Sequence, residues 1–230
     1  MIAPVVTADG PAGSGKSTLG RALARALGLA FIDTGLFYRG VMVAALRAGV
    51  DADDAGALAW LAATTVVGVS TDPRAGDEPV TVDGVPAGAA LRDPGHARLL
   101  ASVSGSPAVR TALLEPQRRL AAAGAVAVGR DCGTVVFPEA AVKFYLDAPQ
   151  AVREQRRREQ LRARGGRADQ GQMRAEVGDR DRSDLGRTTS PLRAAPEAHL
   201  IDTASVDVAT MVARALTVCR AAGLDAAPAR

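Results

Sequence analysis

The stretch that decides the fold is Gly10-Pro11-Ala12-Gly13-Ser14-Gly15-Lys16-Ser17, with Thr18 following it. It matches the phosphate-loop pattern G-x-x-x-x-G-K-[ST] at every fixed position. On one side, Pro4-Val5-Val6-Thr7-Ala8 is a short apolar run that stops at Asp9. On the other, Lys16–Leu27 carries apolar residues at helical spacing until Gly28 ends it. Strand, glycine loop and helix follow one another, which is the context that gives the pattern its meaning.

The physics explains the residue types. Consecutive backbone N–H groups must turn toward a phosphate, and glycine permits both the tight backbone and the close approach. The helix N-terminus adds its dipole. Lys16 then reaches the β- and γ-phosphates of a nucleoside triphosphate as a point charge, and the Ser17 hydroxyl can ligate Mg²⁺. The loop thus predicts a nucleoside triphosphate, ATP in the reading developed below, held by residues 10–18 with Mg²⁺ at Ser17.

Outward from the loop, further short apolar runs occur at Ala30-Phe31-Ile32, Ala125-Val126-Ala127-Val128, Val142-Lys143-Phe144-Tyr145-Leu146 and His199-Leu200-Ile201. They end at Asp33, Gly129, Asp147 and Asp202. Five buried strands separated by helical stretches predict an α/β fold with a five-stranded parallel sheet flanked by helices. In such sheets ligands sit beyond the carboxyl ends of the strands. Two stretches break the rhythm. Residues 66–88 read as a small antiparallel insertion, with strands at Val66-Val67-Gly68-Val69-Ser70 and Pro79-Val80-Thr81-Val82-Asp83-Gly84-Val85. Arg164-Gly165-Gly166-Arg167-Ala168-Asp169 reads as a hinge between arginine-rich helical segments.

Composition excludes several classes. The 230 residues are 47% hydrophobic and 23% charged, and no apolar run reaches the ~18 residues of a membrane span, so a soluble chain with one core is expected. The start carries no basic stretch or apolar leader, and Cys132 and Cys219 match neither a disulfide framework nor a metal-ligand spacing, which fits a reducing cytoplasm. Of 28 basic residues only Lys16 and Lys143 are lysines, leaving 26 arginines for a net charge of +3. Their densest run, 153–167, has no aromatic residues interleaved to stack bases, which favours phosphate clamping over nucleic-acid binding.

A phosphate loop alone leaves the reaction open, because GTPases, motors and small-molecule kinases share it. No Asn-Lys-x-Asp guanine-reading segment is present, which disfavours a GTPase. Gly129-Arg130-Asp131 follows one strand, and Asp33-Thr34-Gly35-Leu36-Phe37-Tyr38-Arg39 follows another. Each taken singly also reads as a helix cap or surface pair. Together, at strand ends beside a phosphate loop, they predict a pocket for a second, anionic substrate.

These segments, in this order, resemble the bacterial cytidylate kinase family. The resemblance is carried by residues 9–18, by Asp33-Thr34-Gly35 with Tyr38-Arg39, by Gly129-Arg130-Asp131-Cys132-Gly133-Thr134-Val135-Val136-Phe137-Pro138, and by Lys143-Phe144-Tyr145-Leu146-Asp147-Ala148. Arg180-Asp181, Asp184, Arg187 and Pro191-Leu192 complete it. It implies a P-loop nucleoside monophosphate kinase of one domain, 1–230, that acts on CMP or dCMP. The implied parts are a core, a monophosphate-binding part at about 36–110 that includes the insertion at about 66–88, and an arginine-rich lid at about 153–170.

Residue by residue, it implies that Ser102, Arg110, Asp131 and Arg187 read the cytosine ring. Arg180 and Asp184 hold the ribose, Arg39 and Arg130 hold the acceptor phosphate, and Thr34 and Tyr38 line the acceptor site. Lys16 and Arg130 would act in catalysis with the lid residues Arg153 and Arg157. The family's usual residues differ at Thr34, Cys132, Leu185 and Gly186, and the poor match around Asp93-Pro94-Gly95-His96 leaves Ser104 or Ser106 as alternatives to Ser102. A cytoplasmic monomer without nucleic-acid or membrane partners is the expected setting. A related kinase acting on UMP, AMP or a small alcohol, and an ATP-dependent switch, are the alternatives.

Overall fold

The structure is a computed structural model, and it describes residues 3–75, 79–163, 178, 182, 186 and 189–225. The five apolar runs form strands β1 (Val5–Asp9), β2 (Ala30–Asp33), β6 (Ala125–Gly129), β7 (Val142–Asp147) and β8 (His199–Asp202). They make one parallel sheet in the order β2-β6-β1-β7-β8. Each strand extends to include the Asp or Gly expected just past it, because pairing continues to the last residue: Asp9 opposite Gly129, Asp33 opposite Val128, Asp147 opposite Asp202. The strand ends that carry polar groups therefore lie level along one edge.

Helices cover both faces. Helix α1 (Lys16–Leu27) turns Leu19, Leu23 and Leu27 toward the sheet, where Phe31, Val126, Val128 and Phe144 meet them. The C-terminal helix α7 (Val208–Ala221) adds Met211, Ala215 and Cys219 to that layer. The opposite layer is larger. It joins α2 (Gly35–Ala48), α3 (Ala55–Thr64), α4 (Ala97–Gly105) and α5 (Pro107–Leu120) through Phe37, Val41, Leu58, Val103 and Leu113. Burying each of these large side chains contributes roughly 1.5–3 kcal/mol, which makes the sheet a rigid platform for its carboxyl edge. Helix α6 (Gln150–Ala163) follows β7. Both cysteines are buried thiols.

Among its described residues the insertion has three strands rather than the two expected: β3 (Val67–Val69), β4 (Val80–Val82) and β5 (Val85–Pro86). Asp83 and Gly84, read above as strand interior, both have left-handed φ values of 51° and 79°. Val82 pairs with Val85 across them, a two-residue reversal of the kind that Asp-Gly favours. Arg47 of α2 donates to the carbonyls of Val82 (3.4 Å) and Pro86 (2.7 Å), which fastens the insertion to the body. From the loop after β3, the Thr71 carbonyl accepts the N–H of Phe31 in β2 (2.9 Å), and the Ala75 carbonyl accepts from Arg21 (2.7 Å).

The expected hinge at 164–169 lies outside the described residues. Among those described, no helix is long and apolar enough to cross a membrane.

Candidate active site

The loop expected to hold phosphate leaves β1 at Asp9 and enters α1 at Lys16. Gly13 and Gly15 take left-handed φ values of 76° and 94°, the kind of backbone that lets successive N–H groups face an anion. A Cβ placed on Gly15 would meet nothing within 4 Å, so the space beside that residue is open. Lys16 is buried along its stem, and its Nζ donates to the Pro11 carbonyl (2.6 Å) and lies 3.4 Å from Ser14 Oγ. The ammonium group thus hangs over the loop. Ser17 and Thr18 are exposed in the first turn of α1. An open cradle of N–H groups, a helix N-terminus and one lysine suit a chain of phosphates, and the Ser17 hydroxyl suits an accompanying hard cation.

The loop is braced from behind. Arg153, buried at the start of α6, donates through Nε to the Ala148 carbonyl (2.9 Å) and through NH1 to the Ala12 carbonyl (3.2 Å). Its backbone lies so close to Gly13 that a Cβ there would come 2.9 Å from the Arg153 carbonyl oxygen. Thr203, just past β8, donates from its hydroxyl to the Ser14 carbonyl (3.0 Å), and Arg156 donates to that hydroxyl (2.8 Å) and to the Thr203 carbonyl (2.7 Å). Sequence reasoning placed Arg153 among lid residues that touch phosphate; here it donates two bonds to the backbone around the loop. It overlooked Thr203 and Arg156, since nothing in the local pattern says that a threonine after the fifth strand will reach residue 14.

The neighbouring strand β6 leads into Gly129-Arg130-Asp131 and then into a π-helical turn, Cys132–Val136, that no sequence periodicity announced. Its widened ring is visible in the bonds from Val136 N–H to the Asp131 carbonyl (3.1 Å) and from Phe137 N–H to the Cys132 carbonyl (2.7 Å). Such turns recur at functional sites. Arg118 of α5 donates to the carbonyls of Val136 (2.8 Å) and Val135 (3.0 Å) and holds the far end. At the near end, Asp9 accepts the N–H groups of Cys132 (2.9 Å) and Gly133 (2.7 Å). Burial pushes the Asp9 carboxyl up to about 6, against the lowering effect of those two bonds. Burial also raises the Cys132 thiol, with the charges of Asp9 and Asp131 adding to it.

Asp131 is buried and paired with Arg110 of α5. Arg110 also donates to the Ser104 carbonyl (2.9 Å), and its guanidinium sits 5.1 Å from the centre of the Tyr38 ring. Burial raises the Tyr38 hydroxyl to about 12, with Arg110 opposing. A cavity of about 100 Å³ opens here, lined by Tyr38, Arg110, Thr111, Asp131, Thr189 and Ser190 among others. Sequence analysis singled out Tyr38, Arg110 and Asp131, which converge on it from three elements. Thr111, Thr189 and Ser190 were missed; the left-handed φ of 54° at Ser190 has no local sequence signal.

The remaining expected residues are more scattered. Arg39 is half-buried and donates to the Leu91 carbonyl (2.7 Å), and Arg130 donates to the Gly129 carbonyl (3.3 Å). Thr34 is buried with its hydroxyl on the Val128 carbonyl (3.0 Å), where it ties the end of β2 to β6. Ser102 lies half-buried on α4. Of its alternatives, Ser106 caps α5 by accepting the Val109 N–H (3.4 Å), and Ser104 supplies the carbonyl that Arg110 binds. Arg157 lies one turn beyond Arg153 on α6. Arg180, Asp184 and Arg187 fall outside the described residues.

A phosphate loop between β1 and α1 and a buried polar pocket at the end of the adjacent strand define a P-loop phosphotransferase with room for a second substrate. The sequence model of the family described as cytidylate kinase matches residues 6–221. The chain is 44% identical over 210 residues to a cytidylate kinase of Pelotomaculum thermopropionicum, covering 91% of this chain and 92% of that one. It is 42% identical over 217 residues to a cytidylate kinase of Symbiobacterium thermophilum, covering 94% and 96%. A bifunctional pantoate ligase/cytidylate kinase of Synechococcus sp. is 43% identical over 203 residues, 87% of this chain but only 37% of that longer protein. The chain belongs to the cytidylate kinase family.

Proposed function

We propose that the protein transfers the γ-phosphoryl group of ATP to the phosphate of CMP or dCMP, giving ADP and CDP or dCDP. The observation that carries this reading is the register of β1 with β6. It sets the phosphate loop and the Arg130-Asp131 turn side by side, with Asp9 opposite Gly129. An oxygen of the acceptor phosphate attacks the γ-phosphorus in line while the bond to the β,γ-bridging oxygen breaks, so no covalent enzyme intermediate is needed. Lys16 and the N–H groups of residues 13–17 offset charge on the triphosphate, Ser17 would hold Mg²⁺ against it, and Arg39 and Arg130 hold the acceptor phosphate.

Base choice falls to the buried Arg110–Asp131 pair. The Asp131 carboxylate accepts from the exocyclic amine of cytosine, whereas uracil would present a carbonyl oxygen to it, and a buried site left unpaired discriminates strongly. Tyr38 and Ser102 complete the acceptor wall, with Arg180, Asp184 and Arg187 as ribose and base contacts. Thr34 supports the site through the carbonyl of Val128. Arg153 positions the loop, and Arg157 is the lid residue that meets phosphate. Release of ADP with Mg-ATP against a panel of ribo- and deoxyribonucleoside monophosphates tests the reading. CMP and dCMP should be the preferred acceptors, and preference for UMP, AMP or a small alcohol overturns it.

A further inference from the structure

Building on the reading of Arg130 and Asp131 as acceptor-side residues, we propose that Asp9 is a positioning residue that fastens the acceptor-side turn to the phosphate loop. Asp9 is the last residue of β1 and directly precedes Gly10. Its carboxylate is 4% exposed and accepts two consecutive N–H groups, Cys132 to Oδ1 and Gly133 to Oδ2. These belong to the first residues of the π turn, whose N–H groups have no partner within the turn. A carboxylate there satisfies both and complements the positive end of the turn.

Space enforces the contact. A Cβ on Gly133 would lie 2.9 Å from Thr7 Oγ1 and 3.2 Å from Lys143 Cδ, so the backbone there is packed tightly against β1 and β7 beside the Asp9 carboxylate. Arg130 and Asp131 immediately precede the two bound N–H groups. Their height above the sheet, and hence the place of the acceptor relative to the donor phosphates, follows from this clamp. The charges facing Asp9 are Lys16 from α1 and Asp131 from the turn, with the Cys132 thiol and Tyr145 of β7 also near. Asp9 acts through the backbone of 132–133 and touches neither substrate.

The test compares wild type, Asp9→Asn and Gly133→Ala in steady-state kinetics with Mg-ATP and CMP, alongside Mg-ATP binding by calorimetry and melting temperature. In Asp9→Asn one arm becomes an N–H₂ facing an N–H, so one of the two bonds is lost. The KM for CMP should rise about tenfold, the size of one lost buried bond to a charged group, while the Mg-ATP Kd stays within about twofold. Gly133→Ala lifts the same turn without changing charge and should give the same split. An unchanged KM for CMP in folded Asp9→Asn, or a loss shared equally between the two substrates, overturns the proposal. If Asp9→Asn does not fold, Gly133→Ala decides by the same criterion. Wild type that fails to phosphorylate CMP would instead remove the functional reading, so the two failures are distinct.

Discussion

The phosphate loop and the acceptor pocket stand at the same edge of one sheet but are assembled in opposite ways. The loop is contiguous: its shape follows from glycines at 10, 13 and 15, and its charge from Lys16, all within eight residues. The pocket gathers Tyr38 from α2, Arg110 from α5, Asp131 from the end of β6 and Ser190 from a distant segment. Side chains that bond to backbone hold it together, notably Asp9 on 132–133, Arg118 on 135–136 and Thr34 on Val128. Donor binding should therefore depend on the loop and on the two residues that brace it from behind, Arg153 and Thr203, whereas acceptor binding should be sensitive to many residues that never touch the acceptor.

The largest break in this contrast is Lys16→Ala, which should lower kcat roughly 10²–10³-fold with the fold intact, because it removes charge at the transferring group; single-turnover kinetics with circular dichroism would check both. Arg110→Met strands a buried carboxylate and should cost about 4 kcal/mol in urea denaturation, along with a raised KM for CMP. The same change should leave Mg-ATP affinity unmoved.

Asp9 gives a pH signature. Its carboxyl is raised from 3.8 to about 6 in the fold, so between those values the folded chain keeps a proton that the unfolded chain has lost. Stability should fall as pH rises through that window, by roughly 3 kcal/mol in all. Asp9→Asn should flatten that slope when urea midpoints are compared at the two ends of the window. Arg153→Ala should destabilise by about 2 kcal/mol and weaken Mg-ATP binding through lost bracing, while Arg157→Ala should lower kcat without moving the melting temperature. Smallest is Gly84→Ala, at about 1 kcal/mol, since it forces a left-handed residue to carry a side chain. Its effect should stay in the insertion and leave both KM values unchanged.

The same contrast explains what was legible in the sequence. Runs such as Val142-Lys143-Phe144-Tyr145-Leu146 declare buried parallel strands, and all five strands formed where their composition placed them, but β8 at the sheet edge is largely exposed rather than buried. The glycine loop was readable for the same reason: its determinants are local. The acceptor side was reached through resemblance for Arg110 and Asp131, whose pairing spans 21 residues of sequence. No periodicity marks the π turn, because a single wide turn is too short to repeat. Thr203, Arg156 and Thr111 were invisible because their roles arise only when distant strand ends meet. Asp83-Gly84 was different: the dipeptide carried the signal for a reversal, and the β-branched residues around it obscured it.

The bond from Phe31 N–H to the Thr71 carbonyl reaches beyond the geometry of the insertion. Strand β2 is the outermost on its side of the sheet, and an outermost strand offers unpaired backbone to any other chain in extended form. By occupying one of those groups and anchoring its own return through Arg21 to Ala75, the segment that enlarges the acceptor side also shields that flank from association with other molecules. The opposite flank, β8, is equally short, four residues, and leaves Leu200 73% exposed.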